Sequence, residues 1–174
     1  MCIRDRRTAL QHPVFGALDL DSSGGISWEG QRTLSNHDVE VELTVMGGPL
    51  ADVQELVEEA APFVAELAAF DTKARECLRI DHDEAPDSAV VLYMDHHLEE
   101  LSPELLLSMF GKKPAAVDRD SFLAALRLAR VGLYPDDTDR CAVFDYTIDA
   151  KATQYLLVVT FDSEGEVIAI DMES

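Results

Sequence analysis

Val39-Glu40-Val41-Glu42-Leu43-Thr44-Val45 places an apolar residue at every second position, and Gly47-Gly48-Pro49 then stops the pattern. Side chains alternate between the two faces of a strand, so this segment offers one face to a core and one acidic face to water. Past Pro49 the period changes. Val53, Leu56, Val57, Ala60, Phe63, Val64, Leu67, Ala74, Cys77 and Leu78 recur at steps of three and four, which is the repeat of an amphipathic helix. This switch from strand period to helix period at a single Gly-Gly-Pro punctuation decides the fold class. Pro62 removes a backbone donor inside the helical pattern, which predicts a kink or two helices there, with Asp71 as the cap of the second piece.

Upstream, Val14-Phe15-Gly16-Ala17-Leu18-Asp19-Leu20 is an apolar run that ends in the turn cluster Asp21-Ser22-Ser23-Gly24-Gly25. Ile26-Ser27-Trp28-Glu29-Gly30 resumes the strand pattern, and Ser35-Asn36-His37-Asp38 makes a second turn. Downstream, residues 87–101 predict a helix with Val90, Met94, Leu98 and Leu101 on one face. Ser102-Pro103-Glu104 reads as N-cap, first-turn proline and acidic first turn of a short helix that Gly111 ends, before the loop Lys112-Lys113-Pro114. Asp120 is the predicted cap of a further helix through Phe122, Leu123, Leu126 and Ala129, stopping before Gly132.

The last third returns to strands. Residues 141–148 put Ala142, Phe144, Tyr146 and Ile148 on one face, with Asp145 assigned to the polar outer face. Residues 155–161 are almost continuously apolar, as a strand covered on both sides requires. Asp162-Ser163-Glu164-Gly165 is a turn and residues 167–170 form the last strand. Strands, then helices, then strands predict an α+β fold: antiparallel β-meanders at the N- and C-terminal ends with a helical middle packed on the sheet.

The chain has 174 residues, 47% of them hydrophobic, enough for one cored domain without staples. The opening Met1 to Arg6, MCIRDR, does not match the acidic chain behind it and resembles a scar at the start of open reading frames from environmental assemblies. Residues 1–7 are therefore read as a non-native or disordered leader, and residues 8–174 as a single α+β domain. Cys2, Cys77 and Cys141 are odd in number and form no CxxC pair, so buried reduced thiols are expected for Cys77 and Cys141. No run reaches the 18 or so apolar residues of a membrane span and no signal-peptide core is present, which together point to the cytoplasm.

Charge is the abnormal quantity. Asp and Glu number 34 against 14 Lys and Arg, a formal net charge of −20. Such a field repels nucleic-acid phosphates and anionic lipid, and attracts a basic protein or a cation. Solubility, or adaptation to a salty interior, explains the same acidity without any partner.

Asp19-Leu20-Asp21-Ser22-Ser23-Gly24-Gly25-Ile26-Ser27-Trp28-Glu29 resembles a calcium loop through its acids at the first and third positions and glycine at the sixth. The closing Glu is missing, because the twelfth position is Gly30. A hairpin turn accounts for the same residues. His96-His97-Leu98-Glu99-Glu100 places His96, His97 and Glu100 on neighbouring helical turns, a candidate metal or acid/base group whose plain alternative is a surface pair. Asp81-His82-Asp83-Glu84 adds a third ligand only through tertiary folding. No GxSxG elbow, P-loop or GxGxxG is present, and Trp28, the single tryptophan, reads as core. No catalytic, cofactor-binding or metal residue is assigned, and no cofactor.

His12-Pro13-Val14-Phe15-Gly16, Trp28-Glu29-Gly30 and Val131-Gly132-Leu133-Tyr134-Pro135 stand in an order that is itself informative, as do Val143-Phe144-Asp145-Tyr146, Tyr155-Leu156-Leu157-Val158-Val159 and the terminal Glu173-Ser174. Taken in that order, they resemble the bacterial domain-of-unknown-function 2004 family over nearly the whole chain. The resemblance implies a small bacterial cytosolic protein and carries no site residues.

The function expected from these observations is that of a non-enzymatic acidic interaction protein, of the immunity or accessory kind, binding a basic partner. Asp136, Asp137 and Asp139 form one candidate patch, and Glu55, Glu58, Glu59 and Glu66 another. The alternative is an enzyme or metal-binding protein with a site assembled around His96, His97, Glu100 or Asp145. A calcium-responsive module through Asp19 and Asp21 is a third reading.

Overall fold

The computed structural model describes residues 9–174; the proposed leader, with Cys2, lies outside them. The molecule is α+β, with five helices and eight strands among the described residues and a mostly antiparallel sheet flanking the helical middle.

The first apolar run is not one strand. β1 (Ala9–His12) and β2 (Gly16–Asp19) make a hairpin in which His12 pairs with Gly16. Gly16 turns the chain at φ 74°, a left-handed value that a side chain disfavours. β3 (Ile26–Leu34) and β4 (His37–Val45) pair antiparallel along their full length, so the turn is shorter than predicted and His37 already faces Leu34. The alternation read in β4 holds: Val39, Val41, Leu43 and Val45 are buried, while Asp38, Glu40 and Thr44 are exposed.

Pro62 lies inside α1 (Leu50–Ala65), and the break falls at Glu66, one turn later, before α2 (Leu67–Glu84). Proline costs the bond it would have donated to the turn behind it, yet the turn ahead still closes on its carbonyl, as the Glu66 N–H does at 2.9 Å. Two helices therefore form, and Asp71 sits inside the second instead of capping it. Helix α3 (Ala89–Glu100) starts behind Ser88, whose hydroxyl accepts the Val91 N–H. Its buried face runs through Val90, Tyr93, Met94 and His97; Leu98 is only half-buried. Helix α4 (Pro103–Phe110) carries the predicted Ser102 cap and ends on Gly111 at φ 62°.

The next helix departs from expectation twice. α5 (Arg119–Ala125) is capped by Asp118, which accepts the Ser121 N–H at 2.8 Å, and not by Asp120. It also stops at Ala125, and Ala129 belongs to β5 (Arg127–Leu133). Leu126 and Leu128 are buried on either side of exposed Arg127, a strand period hidden inside what reads as a helical spacing. β5 runs parallel to β4, with Val41 opposite Val131 and Leu43 opposite Leu133. A parallel pair needs a long crossover connection, and all five helices lie in it. β6 (Ala142–Thr147), β7 (Leu156–Phe161) and β8 (Val167–Glu173) complete the strand order β3-β4-β5-β6-β7-β8. β7 is buried along its length beyond Leu156, and Gly165 turns the chain into β8 at φ 79°.

The described chain divides into two compact units. The first contains residues up to Leu67, Arg130–Val143 and Phe161–Glu166; the second contains Ala68–Ala129, Phe144–Thr160 and Val167–Ser174. In the first, α1 packs on β4, and Phe63 meets Phe161 edge-on at 5.8 Å. Trp28 is half-buried there and lies over Gly30, where a Cβ would strike the indole, with Phe15 edge-on at 5.1 Å and the Arg32 guanidinium 5.6 Å from the ring. In the second unit α3 packs on β8, and Phe122 is buried between Tyr93 and Phe110. No helix is long and apolar enough to cross a membrane, among the described residues.

Candidate functional site

In the second unit, the last turn of α3 and the loop between β6 and β7 enclose an open cleft of about 580 Å³. His96, His97, Glu100, Lys151, Thr153 and Tyr155 are on its wall. The loop is built by Asp149: its carboxylate accepts the N–H groups of Lys151 (2.8 Å) and Ala152 (3.2 Å), and its carbonyl accepts those of Ala152 and Thr153. An aspartate that bonds the backbone two residues on is a standard way to hold such a turn.

His97 borders this cleft but is completely buried, and both its ring nitrogens are engaged. Nδ1 lies 2.7 Å from the Tyr93 carbonyl, which only accepts, so Nδ1 carries the proton. In the neutral ring Nε2 is then an acceptor, and the Thr153 hydroxyl donates to it across 2.9 Å. Thr153 Oγ1 in turn accepts the Tyr155 N–H at 3.1 Å. The buried Tyr93 hydroxyl closes the set by accepting the Ile148 N–H (3.0 Å) and donating to the Tyr155 carbonyl (3.2 Å). These directions follow from three constraints: a carbonyl only accepts, a backbone N–H only donates, and a neutral imidazole has one nitrogen of each kind.

Burial holds the His97 imidazole below its ordinary value of 6.5; the Tyr93 carbonyl opposes the shift and the neighbouring His96 adds to it. Burial likewise raises the Tyr93 phenol, so it remains a donor. A histidine whose folded pKa is depressed stabilises the fold fully above its unfolded pKa and loses that contribution as pH falls through the folded one, because the unfolded chain then binds the extra proton. Stability is therefore expected to drop on acidification from pH 6.5, before most carboxylates titrate. Denaturant unfolding of the wild type and His97→Gln at stepped pH checks this. An unchanged slope in the variant would place the effect elsewhere.

No protein-family model, curated protein or solved structure matches the chain. The site must be read from its own chemistry.

Of the residues singled out in the sequence, His96, His97 and Glu100 do meet at one place. His96 packs edge-on against Tyr155 at 4.6 Å, and Glu100 is exposed at the rim. Both nitrogens of His97 are engaged by the Tyr93 carbonyl and the Thr153 hydroxyl, and no group of three or more His, Cys, Asp or Glu is placed to hold an ion among the described residues. Asp81 instead accepts the Val90 N–H at 3.0 Å, and Asp83 pairs with Arg119 and His82. Asp145 is buried, at 8% exposure, which corrects its assignment to a solvated outer face: the fully buried strand β6 has cover on both faces.

The calcium-like segment is a turn. Asp21 Oδ1 accepts Ser23 N–H (2.8 Å), Ser23 O–H (2.7 Å) and Gly25 N–H (2.9 Å), and the serine hydroxyl is the chief cause of its lowered pKa. Asp19 stands in β2 opposite Ala9, and Glu29 stands in β3 opposite Glu42. Trp28 is neither deep core nor open platform, since Gly30, Phe15 and Arg32 surround it. Cys77 is half-buried where full burial was expected; Cys141 is fully buried.

The residues that sequence reasoning missed are Thr153, Tyr93 and Tyr155. No spacing signals them, because Thr153 lies 56 positions from His97. Asp149, a turn-forming aspartate shortly before Thr153, is the one local hint that the loop is ordered.

Proposed function

We propose that this chain is an acidic interaction protein of the bacterial cytoplasm, of the immunity or accessory kind, whose first unit binds a basic protein partner. The observation that carries the reading is the sorting of charge. From residue 9 onward the first unit contains only Arg32, Arg130 and Arg140 as Lys or Arg, against seventeen Asp or Glu; the second contains eight against sixteen.

The three arginines are all engaged within their own unit. Arg32 bonds the Gln31 and Val14 carbonyls and lies over Trp28. Arg130 pairs with Glu42, and Arg140 lies 5.8 Å over Tyr134. Carboxylates from three separate segments also converge. Burial first, and then the charges of Glu59, Asp162 and Asp137, push the Cys141 thiol up to about 11. Ser163 N–H bonds the Thr138 carbonyl at 2.9 Å and so ties the Asp162 turn to the Asp137 loop. Like charges held within about 8–10 Å reinforce one another's field at physiological salt. That field favours a cationic protein surface and disfavours nucleic acid and anionic lipid. The resemblance to the domain-of-unknown-function 2004 family supports the bacterial and cytosolic part of the reading.

Within the two patches, Asp136 and Asp137 shape their loop by accepting the Met46 and Asp139 N–H groups. Glu55, Glu59 and Glu66 are exposed on α1 or at its end, and are the better probes. The test is affinity capture from a bacterial lysate at low and high salt, with Glu55→Gln/Glu59→Gln/Glu66→Gln alongside the wild type. A basic protein retained at low salt, released at high salt and held at least tenfold less by the variant is the expected result. Equal retention by both forms, or no basic protein on either, would sink the reading.

A further inference from the structure

The cleft of the second unit holds a pairing that the charge argument does not use. A hydroxyl on the cleft wall donates to a buried imidazole, and the far nitrogen of that imidazole is fixed by a third group. This is the geometric requirement for an activated oxygen nucleophile: nucleophile and base within hydrogen-bond reach, and the base oriented from behind. Thr153 Oγ1 is 2.9 Å from Nε2, and the Tyr93 carbonyl holds Nδ1–H at 2.7 Å, in place of the carboxylate that more often does so.

We propose that Thr153 is a nucleophile for acyl transfer, with His97 as its general base, and that the cleft accepts small carboxylic esters. The cleft's 580 Å³ falls in the size range of small-molecule sites. Lys151 also lines the cleft, and in this proposal its positive charge favours the oxygen that becomes negative. In the acylation step, Oγ1 attacks the ester carbonyl carbon while its proton moves to Nε2 of His97. The C–O bond to the alcohol then breaks, and the leaving alkoxide takes that proton. In the second half, water attacks the acyl-threonine, Nε2 accepts the water's proton and returns one to Oγ1, and the carboxylic acid leaves. Ester and water become acid and alcohol, with no other reactant.

His97 is completely buried, while Thr153 is only half-buried and lines the cleft. A purely structural role for the pair would also bond Thr153 to His97, so the test must read chemistry and not stability. The whole chain is incubated with p-nitrophenyl acetate; p-nitrophenolate release is followed, and acetylated peptides are mapped by mass spectrometry. The expected result is acetylation at Thr153, or steady release that depends on it, with a rate that rises with pH as His97 loses its proton. His97→Gln should slow the reaction by about 100-fold or more, the usual share of a general base. Thr153→Ser keeps both hydrogen bonds and should remain reactive at the same position, while Thr153→Val should be inert. If position 153 is unacetylated and release is unaltered by Thr153→Val or His97→Gln, the proposal is overturned. Should Thr153→Val fail to fold, the mapping of wild type and Thr153→Ser decides alone: no acyl group at position 153 in either overturns it. The outcome is independent of the basic-partner reading, which concerns the first unit only.

Discussion

Phe122→Ala is expected to lower stability by about 3–5 kcal/mol, the usual cost of emptying a buried aromatic site. For a chain of this size that corresponds to a fall in Tm of roughly 6–20 °C. The ring has no exposed surface, stacks on Phe110 at 6.0 Å and meets Tyr93 edge-on at 6.1 Å. Little can collapse into the vacancy. α5 is only seven residues long, too short to persist alone, so it holds its place through this anchor. The loss should also reach the cleft, because Tyr93 holds the β6–β7 loop through Ile148 and Tyr155. A thermal melt measures the first effect and amide exchange at Ile148 the second. A loss below about 1 kcal/mol would show that the site repacks.

Arg75→Ala is expected to cost about 3 kcal/mol, because it leaves a mostly buried carboxylate and two carbonyls without their donor. The Arg75 Nε bonds both Asp71 oxygens, at 3.1 and 3.0 Å, while its other nitrogens reach the Leu123 carbonyl at 3.2 Å and the Leu126 carbonyl at 2.9 Å. Tyr146 O–H donates to the same carboxylate at 2.7 Å, and its ring lies 5.3 Å beneath the guanidinium. Burial first, and then the Asp71 charge, push the Tyr146 phenol well above its ordinary range, so it remains a donor at any working pH. Arg75→Lys keeps the charge but not the planar fork, and should recover only part of the loss. Replacing Asp71 and Arg75 together should cost less than the two single losses added, since no unpaired charge remains. Chemical denaturation of the four variants checks all of this, and additive losses would show that the pair is not a unit.

Arg75 also explains where the sequence reading stopped short. Phe122, Leu123 and Leu126 have helical spacing, and nothing in their identity says that the helix ends at Ala125. At that end a guanidinium 48 and 51 positions upstream takes the Leu123 carbonyl of α5 and the carbonyl of Leu126, the residue that follows the helix and precedes β5. Asp71 was misplaced for a related reason. An aspartate near a proline break reads as a cap, but its carboxylate serves Tyr146, from a strand 75 positions later. Ser102-Pro103-Glu104 and Gly111 were legible because caps act on the backbone within four residues.

The candidate site divides in the same way. His96, His97 and Glu100 were visible as neighbours on one helix, since helical spacing alone brings them together. That His97 would be buried, which nitrogen would carry its proton and which hydroxyl would face it depended on a loop more than fifty residues away. The acidic residues were visible as a count, but their concentration in the unit that has only three arginines among the described residues was not, because that unit is assembled from three separated stretches of chain.

By itself, then, the sequence determined what is local: the period of β4, the switch to helix after Pro49, the short helix caps, the turn at Gly165 and the acidic character of the whole. These depend on φ and ψ preferences and on hydrogen bonds that span a few residues, which no distant partner has to supply. The tertiary structure alone decided the parallel pairing of β4 with β5, the end of α5, the burial of Asp145 and the Thr153–His97 contact. Each of these is a pairing across the chain, and its energy exists only once the intervening residues have folded.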